Sequence, residues 1–365
     1  MKNTFGNSIT LTLFGESHGD VIGAVLDGLA PGIKIDIQHI REKLDLRKPK
    51  GKISTSRVEG DEFSIVSGAY NGFTTGTPLT LLIPNTNKKS SDYSTLRAKP
   101  RPSHADYTAE IKYHGFQDPR GGGHFSGRVT AALVAAAAIL DSALISHGIY
   151  IGSHISSLHG VSDRAFGDIE EDVRSLSVSE FPALCAESEE KMKKLIEEAA
   201  ANGDSVGGVL ETAVVGIPAG IGEPWFDTLE GLLAHGLFSV PGVKGVEFGR
   251  GFGFGELFGS EANDPFIMEN GRVITETNNN GGINGGITNG MPVIFRCAVK
   301  PTPSIFKEQR TVDLTAKENA CLKIEGRHDP AIIHRARAVV DAVTALVIAD
   351  ALTVRFGTDY LADCK

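Results

Sequence analysis

The amino-acid sequence predicts an α/β or α+β fold built around one large core. Strand-like and helix-like segments alternate along 365 residues, of which 41% are hydrophobic. The strongest single signal is an alanine-rich stretch, residues 129–140, which contains no glycine or proline. It predicts a helix from about residue 127 to residue 147, beginning just after a run of three glycines. The chain has no clean domain linker, and we therefore predict a single domain over residues 1–365.

The first third of the chain predicts strands separated by turns. Segments that alternate polar and apolar side chains have the period of a half-buried strand, and clusters of glycine and proline indicate turns. The predicted elements are strands at residues 8–14, 21–26, 63–69 and 79–83 and a short helix at 36–46. Residues 84–119 follow as an irregular segment, because two central prolines remove amide donors and disfavour helix. A loop of this length is more often functional than idle.

The remainder of the chain repeats this alternation. The predicted elements are strands at residues 149–158, 206–216 and 291–300, helices over most of 168–201, 226–238 and 330–356, and glycine-rich turns at 242–258 and 278–290. Asp329 is the expected N-cap of the last helix, and Pro330 its first residue. Because both halves contain strands, a glycine-rich loop and a long helix, an internal pseudo-duplication is one interpretation.

Composition and charge restrict the classes of ligand and location. The formal net charge is −9, so the whole molecule does not attract nucleic acid or an anionic membrane, and an anionic ligand must be bound locally. Four cysteines stand far apart without a CxxC pair, which argues against a disulfide framework and against a zinc site. The alanine-rich helix is short for a membrane span, and the N-terminus does not resemble a signal peptide. We expect a cytoplasmic protein without nucleic-acid or membrane partners and without a metal.

The stretch from Arg120 to Arg128 places three glycines and two arginines at the predicted start of the alanine-rich helix. The first amide groups of a helix have no intrahelical acceptor and carry the positive end of the helix dipole, which favours a bound anion. A tight turn, in which the glycines only supply positive φ, explains the run equally well. The local pattern leaves both interpretations open.

Residues 15–19, Gly-Glu-Ser-His-Gly, fit the G-x-S-x-G pattern of a serine hydrolase. That motif requires a helix after the serine, whereas the β-branched, glycine-spaced residues 20–28 predict another strand. The mismatch argues against a hydrolase and draws attention to His18, since an imidazole beside a glycine turn can act as acid or base near neutral pH. A histidine satisfied by local hydrogen bonds is the alternative. Residues 249–255 are glycine-rich but complete no G-x-G-x-x-G motif.

Basic side chains beside glycine or proline recur along the chain, together with two histidines flanked by small residues. The cations are Arg47, Lys48, Arg101, Arg120, Arg128, Lys300 and Arg327, and the histidines are His18 and His104. Many fixed cations with few carboxylates suit a ligand with several anionic groups, such as a phosphorylated carboxylic acid, beside a phosphate-bearing cofactor. The two histidines can supply proton transfers.

Seven segments resemble, in the same order, the signature segments of the chorismate synthase family. They are residues 14–19 (FGESHG), 101–107 (RPSHADY), 120–123 (RGGG), 207–220, 243–247 (VKGVE), 300–304 (KPTPS) and 326–330 (GRHDP). The resemblance covers nearly the whole chain, at the length of the monofunctional enzyme. Seven ordered segments are far more specific than any one of them.

The resemblance implies the last step of the shikimate pathway. In that reaction 5-enolpyruvylshikimate 3-phosphate loses phosphate and a C6 proton in an anti-1,4 elimination that gives chorismate. Reduced FMN is the implied cofactor, although the reaction has no net redox change, because transient electron donation would weaken the allylic C–O bond. The implied fold is a β-α-β sandwich with a helical layer between two antiparallel sheets, usually in a homotetramer.

The resemblance also implies residue roles. His18 would protonate the leaving phosphate, His104 would donate to the reduced flavin near N1, and Asp329 would assist removal of the C6 proton through flavin N5. The implied substrate-binding residues are Arg47, Lys48, Arg101, Arg128 and Arg327. The implied flavin-binding residues are Ser126, Pro241, Gly242, Gly285, Lys300, Ser304 and Arg327. Two departures from the family pattern are Lys48, where many relatives carry arginine, and the pair His124-Phe125, which replaces a more polar pair of some relatives.

Two other functions remain open at the level of sequence. A flavin-dependent oxidoreductase would oxidise NADPH continuously, although no nicotinamide-binding motif or added reductase domain is evident. A catalytically silent anion-binding protein would need neither His18 nor His104.

Overall fold

The computed structural model describes residues 2–49, 51, 53–54, 60–86, 98–324 and 329–362. The first part of the chain is mainly strands. In chain order its elements are β1 (Thr4–Phe5), β2 (Thr10–Gly15), β3 (Val21–Asp27), β4 (Pro31–Lys34), α1 (Ile37–Arg47), β5 (Ser64–Ser67), β6 (Ala69–Tyr70), β7 (Phe73–Thr75), β8 (Leu79–Pro84) and α2 (Asp106–Lys112). The predicted N-terminal strands and the helix at 36–46 are confirmed, and the side chain of Asp36 caps α1 by accepting two amide hydrogen bonds.

The second part of the chain begins with the alanine-rich helix and ends with another long helix. Its elements are α3 (Thr130–Ser146), β9 (Tyr150–Leu158), β10 (Val161–Ser162), α4 (Ile169–Leu176), α5 (Ala186–Ala201), β11 (Gly208–Val215), α6 (Leu229–Leu237), β12 (Val243–Phe248), α7 (Gly259–Ala262), β13 (Phe266–Glu269), β14 (Arg272–Thr275), β15 (Ile283–Asn284), β16 (Ile287–Thr288), β17 (Val293–Val299), β18 (Gln309–Asp313), β19 (Glu318–Leu322) and α8 (Ile333–Phe356).

Two five-stranded antiparallel sheets enclose a layer of helices. The N-terminal sheet has the order β1-β2-β3-β8-β5, and the C-terminal sheet has the order β10-β9-β11-β17-β12. Helices α1, α3 and α8 pack against one another; α3 also contacts β3 and β8 of the first sheet, while α8 contacts β9 and β11 of the second. The predicted α+β fold, with helices between antiparallel sheets, is confirmed.

Helix α3 lies in the middle of this layer, and residues 131–141 are all buried. Alanine suits the position because a small side chain lets neighbouring helices and strands approach closely. By length and hydropathy, residues 127–146 could cross a membrane, so the sequence argument that the stretch is too short was wrong. Its hydropathy is explained by the fold, since 83% of the apolar window is buried inside the protein.

The two halves share one chain path. In the first half, β2, β3, β8 and β5 stand side by side, with α1 between β3 and β5 and α3 after β8. In the second half, β9, β11, β17 and β12 stand in the same order, with α6 between β11 and β12 and α8 after β17. This correspondence supports the internal pseudo-duplication that the sequence suggested.

The correspondence extends to individual hydrogen bonds beside each sheet. The hydroxyl of Thr74 accepts the N–H of Ile33, and that of Thr288 accepts the N–H of Ile221, both at 2.9 Å. Each hydroxyl also donates to a carbonyl three residues before that amide, at 2.6 and 2.7 Å. Both threonines are buried. The same threonine hydrogen-bond pattern therefore occurs once in each half.

Four sequence predictions differ from the structure. Helix α2 lies within 84–119, which was predicted as irregular, and β12 lies within the glycine-rich segment 242–258. Residues 168–201 form two helices rather than a largely continuous one. The last helix begins at Ile333 instead of Pro330, so Asp329 is not its N-cap. The N-cap position is Ile332, and the carboxylate of Asp329 instead binds the guanidinium of Arg335 at 2.7 Å.

A histidine in the C-terminal sheet is buried between two carboxylates. Nδ1 of His154, on β9, lies 3.0 Å from Asp163, and Nε2 lies 3.1 Å from Glu211. Burial alone lowers the pKa of this imidazole, but its hydrogen bonds to Asp163 and Glu211 outweigh burial and raise the pKa above the usual value. The protonated form therefore stabilises the folded state.

Candidate active site

Two of the three glycines before α3 contact histidines from different parts of the chain. Gly121, Gly122 and Gly123 all have positive φ, in a tight turn over Arg120–Phe125. A Cβ on Gly121 would lie 2.2 Å from Nδ1 of His18, and a Cβ on Gly122 would lie 3.4 Å from Cε1 of His104. The absence of side chains lets the backbone approach both imidazoles. The loop thus brings together the two histidines that the sequence singled out.

His18 is buried in the turn between β2 and β3, and several hydrogen bonds fix that turn. The amide of Ser17 donates to the carbonyl of Gly123 at 3.0 Å, and the ring of His124 lies 2.8 Å from the carbonyl oxygen of Gly15. Since strand β3 follows this turn, the strand-turn-helix setting of a hydrolase nucleophile is not present here. The geometry instead places the imidazole of His18 against the glycine loop.

Two arginines predicted to bind substrate share one buried carboxylate. Nη2 of Arg47 is 2.8 Å from Oδ2 of Asp61, and Nη1 of Arg128 binds Oδ1 of the same side chain. Burial raises the pKa of Asp61, but the positive charges of Arg47 and Arg128 outweigh that effect and lower it below its ordinary value. The carboxylate therefore stays ionised between the two guanidinium groups.

Asn85 connects this arginine pair to the turn that carries His18. Its side chain amide donates to the carbonyls of Glu16 and Gly19, both at 3.0 Å, while its Oδ1 accepts from Nε of Arg128 at 2.9 Å. Asn85 is itself buried. The position of a candidate proton donor and that of a candidate anion-binding group are therefore coupled through one side chain.

Asp329 joins the same cluster from the other half of the chain. Its carboxylate binds Nη1 of Arg335, and Nε of Arg335 donates to the carbonyl of Arg47 at 2.8 Å. Lys48, the next residue after Arg47, instead pairs with Asp45 at 2.6 Å and is partly exposed. His18, Arg47, Arg128 and Asp329 thus belong to one connected group, which we call the arginine cluster.

A second cluster surrounds His104. Nδ1 of His104 is 2.7 Å from Oδ1 of Asp106, whose two oxygens also accept from Nε and Nη2 of Arg101, each at 2.8 Å. Burial raises the pKa of Asp106, but the hydrogen bonds from Arg101 and His104 hold it well below its usual range. Nη1 of Arg101 also lies 3.4 Å from the hydroxyl of Ser304. Two hydrogen bonds of the Arg101 guanidinium therefore go to Asp106 and fix its position.

Lys300 and Gly242 adjoin this histidine cluster. Nζ of Lys300 donates to the carbonyl of Ser103 at 2.5 Å, and its amide donates to the carbonyl of Gly242 at 2.9 Å. Burial, together with the charge of Lys244, lowers the pKa of Lys300. Ser103 precedes His104 and has a φ of 58°. This left-handed backbone conformation sets the direction of the carbonyl that accepts from Lys300. We call His104, Arg101, Asp106, Ser126, Gly242, Lys300 and Ser304 the histidine cluster.

Ser126 lies at the point where the glycine loop meets α3. Its Cβ would be 3.8 Å from a Cβ on Gly122, which also contacts His104. The hydroxyl of Ser126 accepts the amide of Arg128 at 3.3 Å and caps the helical turn Gly127–Val129. One of the amides that could bind an anion is therefore already satisfied by the protein.

Two other predicted site residues, Gly285 and Pro241, lie outside these clusters. Gly285 is in the turn between β15 and β16, a hairpin that packs on Thr228 at the start of α6. Pro241 is exposed beside Gly242. Arg327 falls outside the described residues.

Comparison with known proteins identifies the family. The family model for chorismate synthase matches residues 9–353. The chain belongs to the chorismate synthase family. It is 47% identical to the chorismate synthase of Thermococcus gammatolerans, over 96% of this chain and 97% of that protein. It is also 47% identical to the chorismate synthase of Dehalococcoides mccartyi, over 98% of each chain. A chorismate synthase crystal structure superposes with a TM-score of 0.76 at 29% identity, covering 98% of this chain and 95% of the other.

Sequence reasoning missed the residues that connect the site of this chorismate synthase family member. Asp61, Asn85 and Arg335 carry no local motif, and Asp106 was noted only as part of the segment around His104. Each one binds a predicted site residue that another part of the chain supplies, or fixes its orientation. A search for buried carboxylates and amides near the predicted cations would need the three-dimensional structure, because no fixed spacing relates them.

Proposed function

We propose that the protein converts 5-enolpyruvylshikimate 3-phosphate to chorismate by anti-1,4 elimination of phosphate and a C6 proton, with reduced FMN bound. The observation that carries the proposal is the contact of one glycine loop with both His18 and His104. That contact joins the arginine cluster, suited to an anionic substrate, to the histidine cluster, suited to a flavin. Membership of the chorismate synthase family supports the same reaction.

The arginine cluster has the chemistry needed for a phosphorylated dicarboxylate. Arg47 and Arg128 are buried, so their hydrogen bonds to phosphate or carboxylate oxygens would be strong in a site with little water. Asn85 links the turn that carries His18 to Arg128, so the imidazole of His18 would give a proton to the departing phosphate oxygen. Asp329 is the carboxylate in this cluster that can assist departure of the C6 proton. Lys48 remains a candidate for a weaker, single-point contact with substrate.

The residues of the histidine cluster fit a flavin. A flavin offers ring nitrogens and carbonyl oxygens to hydrogen-bond donors and a phosphate to cations, and His104, Ser126, Lys300 and Ser304 supply donors of both kinds. Gly122 leaves open the face of the loop towards His104. When bound, reduced FMN would supply transient electron density that weakens the allylic C–O bond. Gly242 would shape the backbone beside Lys300, and Arg101 would act by orienting Asp106 and His104.

The decisive experiment is anaerobic turnover with photoreduced FMN and the phosphorylated substrate, followed by chorismate absorbance. Native protein should form chorismate, and His18→Ala and His104→Ala should each be slower by about 10²–10⁴-fold, the range for loss of a general acid or base. His147→Ala is the control, because His147 lies at the end of α3 with its ring tilted against that of Tyr360 and belongs to neither cluster. Absence of chorismate with both ligands bound would contradict the proposal. Continuous NADPH oxidation coupled to product would instead identify an oxidoreductase.

We also propose a homotetramer. Large apolar side chains are exposed close together in sequence between β12 and β14, where Phe252 is 90% and Met268 70% accessible. Phe258 and Phe266 are exposed in the same segment. Exposed apolar groups of this size commonly mark an interface between subunits. Sedimentation equilibrium should give four chains per particle, and a monomer at micromolar concentration would contradict the proposal.

A further inference from the structure

We propose that Asp61 is a positioning residue for substrate binding, which fixes the spacing and direction of the Arg47 and Arg128 guanidinium groups. The inference rests on the proposed function, since it assumes that these two arginines bind the anionic groups of the substrate. It concerns a residue to which neither the sequence motifs nor the family resemblance drew attention.

Asp61 is a buried carboxylate that binds two arginines. Its side chain is fully buried, with 0% exposure, and its two oxygens serve different arginines, Oδ2 for Arg47 and Oδ1 for Arg128. Its φ of 51° places the backbone in the left-handed region, which aspartate tolerates better than most side chains. A buried carboxylate held in this conformation by two cations sets the separation of their donor nitrogens, because its own oxygens are covalently fixed.

Arg128 is held especially firmly. Its Nε donates to Asn85, its Nη1 to Asp61 and its Nη2 to the carbonyl of Pro84, so each guanidinium nitrogen has a protein acceptor. Such a guanidinium cannot rotate without breaking several bonds, which reduces the entropy lost when it binds an oxyanion. Because Oδ2 of Asp61 binds Arg47, the orientation of that second arginine depends on the first.

A neutral isostere cannot replace this carboxylate. Asparagine has one acceptor oxygen, and its NH2 group would face the donor of the other arginine. One guanidinium would lose its hydrogen bond to residue 61, and two buried cations would face each other with less compensation. The turn carrying His18 would keep its bonds from Ser17 to Gly123 and from His124 to Gly15. Substrate binding should therefore suffer more than the chemical step.

The test measures binding of 5-enolpyruvylshikimate 3-phosphate to the complex with oxidised FMN, by calorimetry, so that no turnover occurs. We expect Asp61→Asn to bind the substrate about 10- to 100-fold more weakly, the range for one lost hydrogen bond to a charged group. FMN affinity should stay within about twofold of native, because the histidine cluster is untouched. In turnover, KM should rise by at least about tenfold, while kcat should fall by less than that.

Asp61→Glu distinguishes the effect of the position of the carboxylate from the effect of its charge. It keeps two acceptor oxygens and the negative charge but moves them by one methylene. If Asp61 sets the spacing of the arginines, Asp61→Glu also binds the substrate at least about tenfold more weakly. Native affinity in Asp61→Glu would overturn the proposal, and so would native or tighter binding in Asp61→Asn. If Asp61→Asn does not fold, the glutamate variant alone decides.

Asp172→Asn is the matched control. Asp172 is a buried carboxylate that binds a guanidinium, that of Arg164, but it lies on α4 away from both clusters. This variant should lose stability in urea unfolding with native substrate affinity and native KM. A similar rise of KM in both variants would assign the effect to general destabilisation and overturn the inference. If native protein itself neither binds the substrate nor forms chorismate, the proposed function fails rather than the role of Asp61.

Discussion

Replacing Gly121 with alanine tests whether the glycine loop sets the position of His18. The new Cβ would lie 2.2 Å from both Nδ1 and Cε1 of the imidazole. Since ordinary contact begins at 3.4 Å, the ring or the loop must move by about 1.2 Å, the difference between these two distances. Gly121 also has a φ of 61°, which costs a residue with a Cβ roughly 1–2 kcal/mol. The steric contact acts on an imidazole that is buried.

We expect Gly121→Ala to lower kcat about 100-fold, because a 1 Å displacement of a reacting group can have that effect. The free energy of unfolding should fall by roughly 1–2 kcal/mol from the backbone conformation alone. Anaerobic chorismate formation with photoreduced FMN measures the first quantity, and urea unfolding the second. Gly127→Ala is the matched control in the same loop, since a Cβ there meets nothing within 4 Å. Native kcat in Gly121→Ala, or an equal loss in Gly127→Ala, would refute the reasoning.

Other buried groups provide further tests. Asp106→Asn removes the carboxylate beside His104, and we expect weaker FMN binding in fluorescence titration and an unfolding free energy lower by roughly 1.5–3 kcal/mol. The raised pKa of His154 means that its stabilising contribution is complete below the unfolded pKa of about 6.5 and is lost as pH rises through the folded pKa. His154→Gln should therefore flatten the decline in unfolding free energy above pH 6.5, and an unchanged slope would count against the assignment. Burial raises the pKa of the Cys297 thiol to about 12, so mass spectrometry should find Cys297 unmodified by iodoacetamide in folded protein while the exposed Cys321 reacts.

The predictable parts of the fold are the elements in which the sequence pattern of polar and apolar residues matches the side chains that the structure exposes and buries. Strands β2 and β3 alternate polar and apolar residues, and α3 combines strong helix formers with no breaker. Helix α2 was not predicted, because it has only seven residues and the prolines before it indicate irregular structure. Strand β12 contains a glycine that weakens strand propensity, yet it is held by pairing with β17. The structure of the short elements depends on tertiary contacts, whereas that of the long elements follows from local sequence.

The candidate site was predictable only in its separate pieces. Glycines, histidines and cations form visible patterns along the chain, and their family resemblance gave them expected roles. The contacts that organise them join residues far apart in sequence: Asp61 and Arg128 are separated by 67 positions, and Arg335 and Arg47 by 288. No spacing rule connects such residues, since their proximity results from how the two sheets and the helical layer assemble.

The duplicated fold explains why both halves contribute to one site. Asn85 is the first residue after β8, and Lys300 is the first residue after β17, the strand that corresponds to β8 in the second half. Arg128 precedes α3, and Asp329 precedes α8, the helix that corresponds to α3. Equivalent strand ends and helix starts thus carry different chemistry: an amide and an arginine in the first half, a lysine and a carboxylate in the second. The contacts of Lys300 with Ser103 and of Arg335 with Arg47 cross between the halves. Different side chains at equivalent backbone positions therefore make one asymmetric site out of a repeated fold, as the proposed elimination requires, since its proton and its phosphate leave from different carbons.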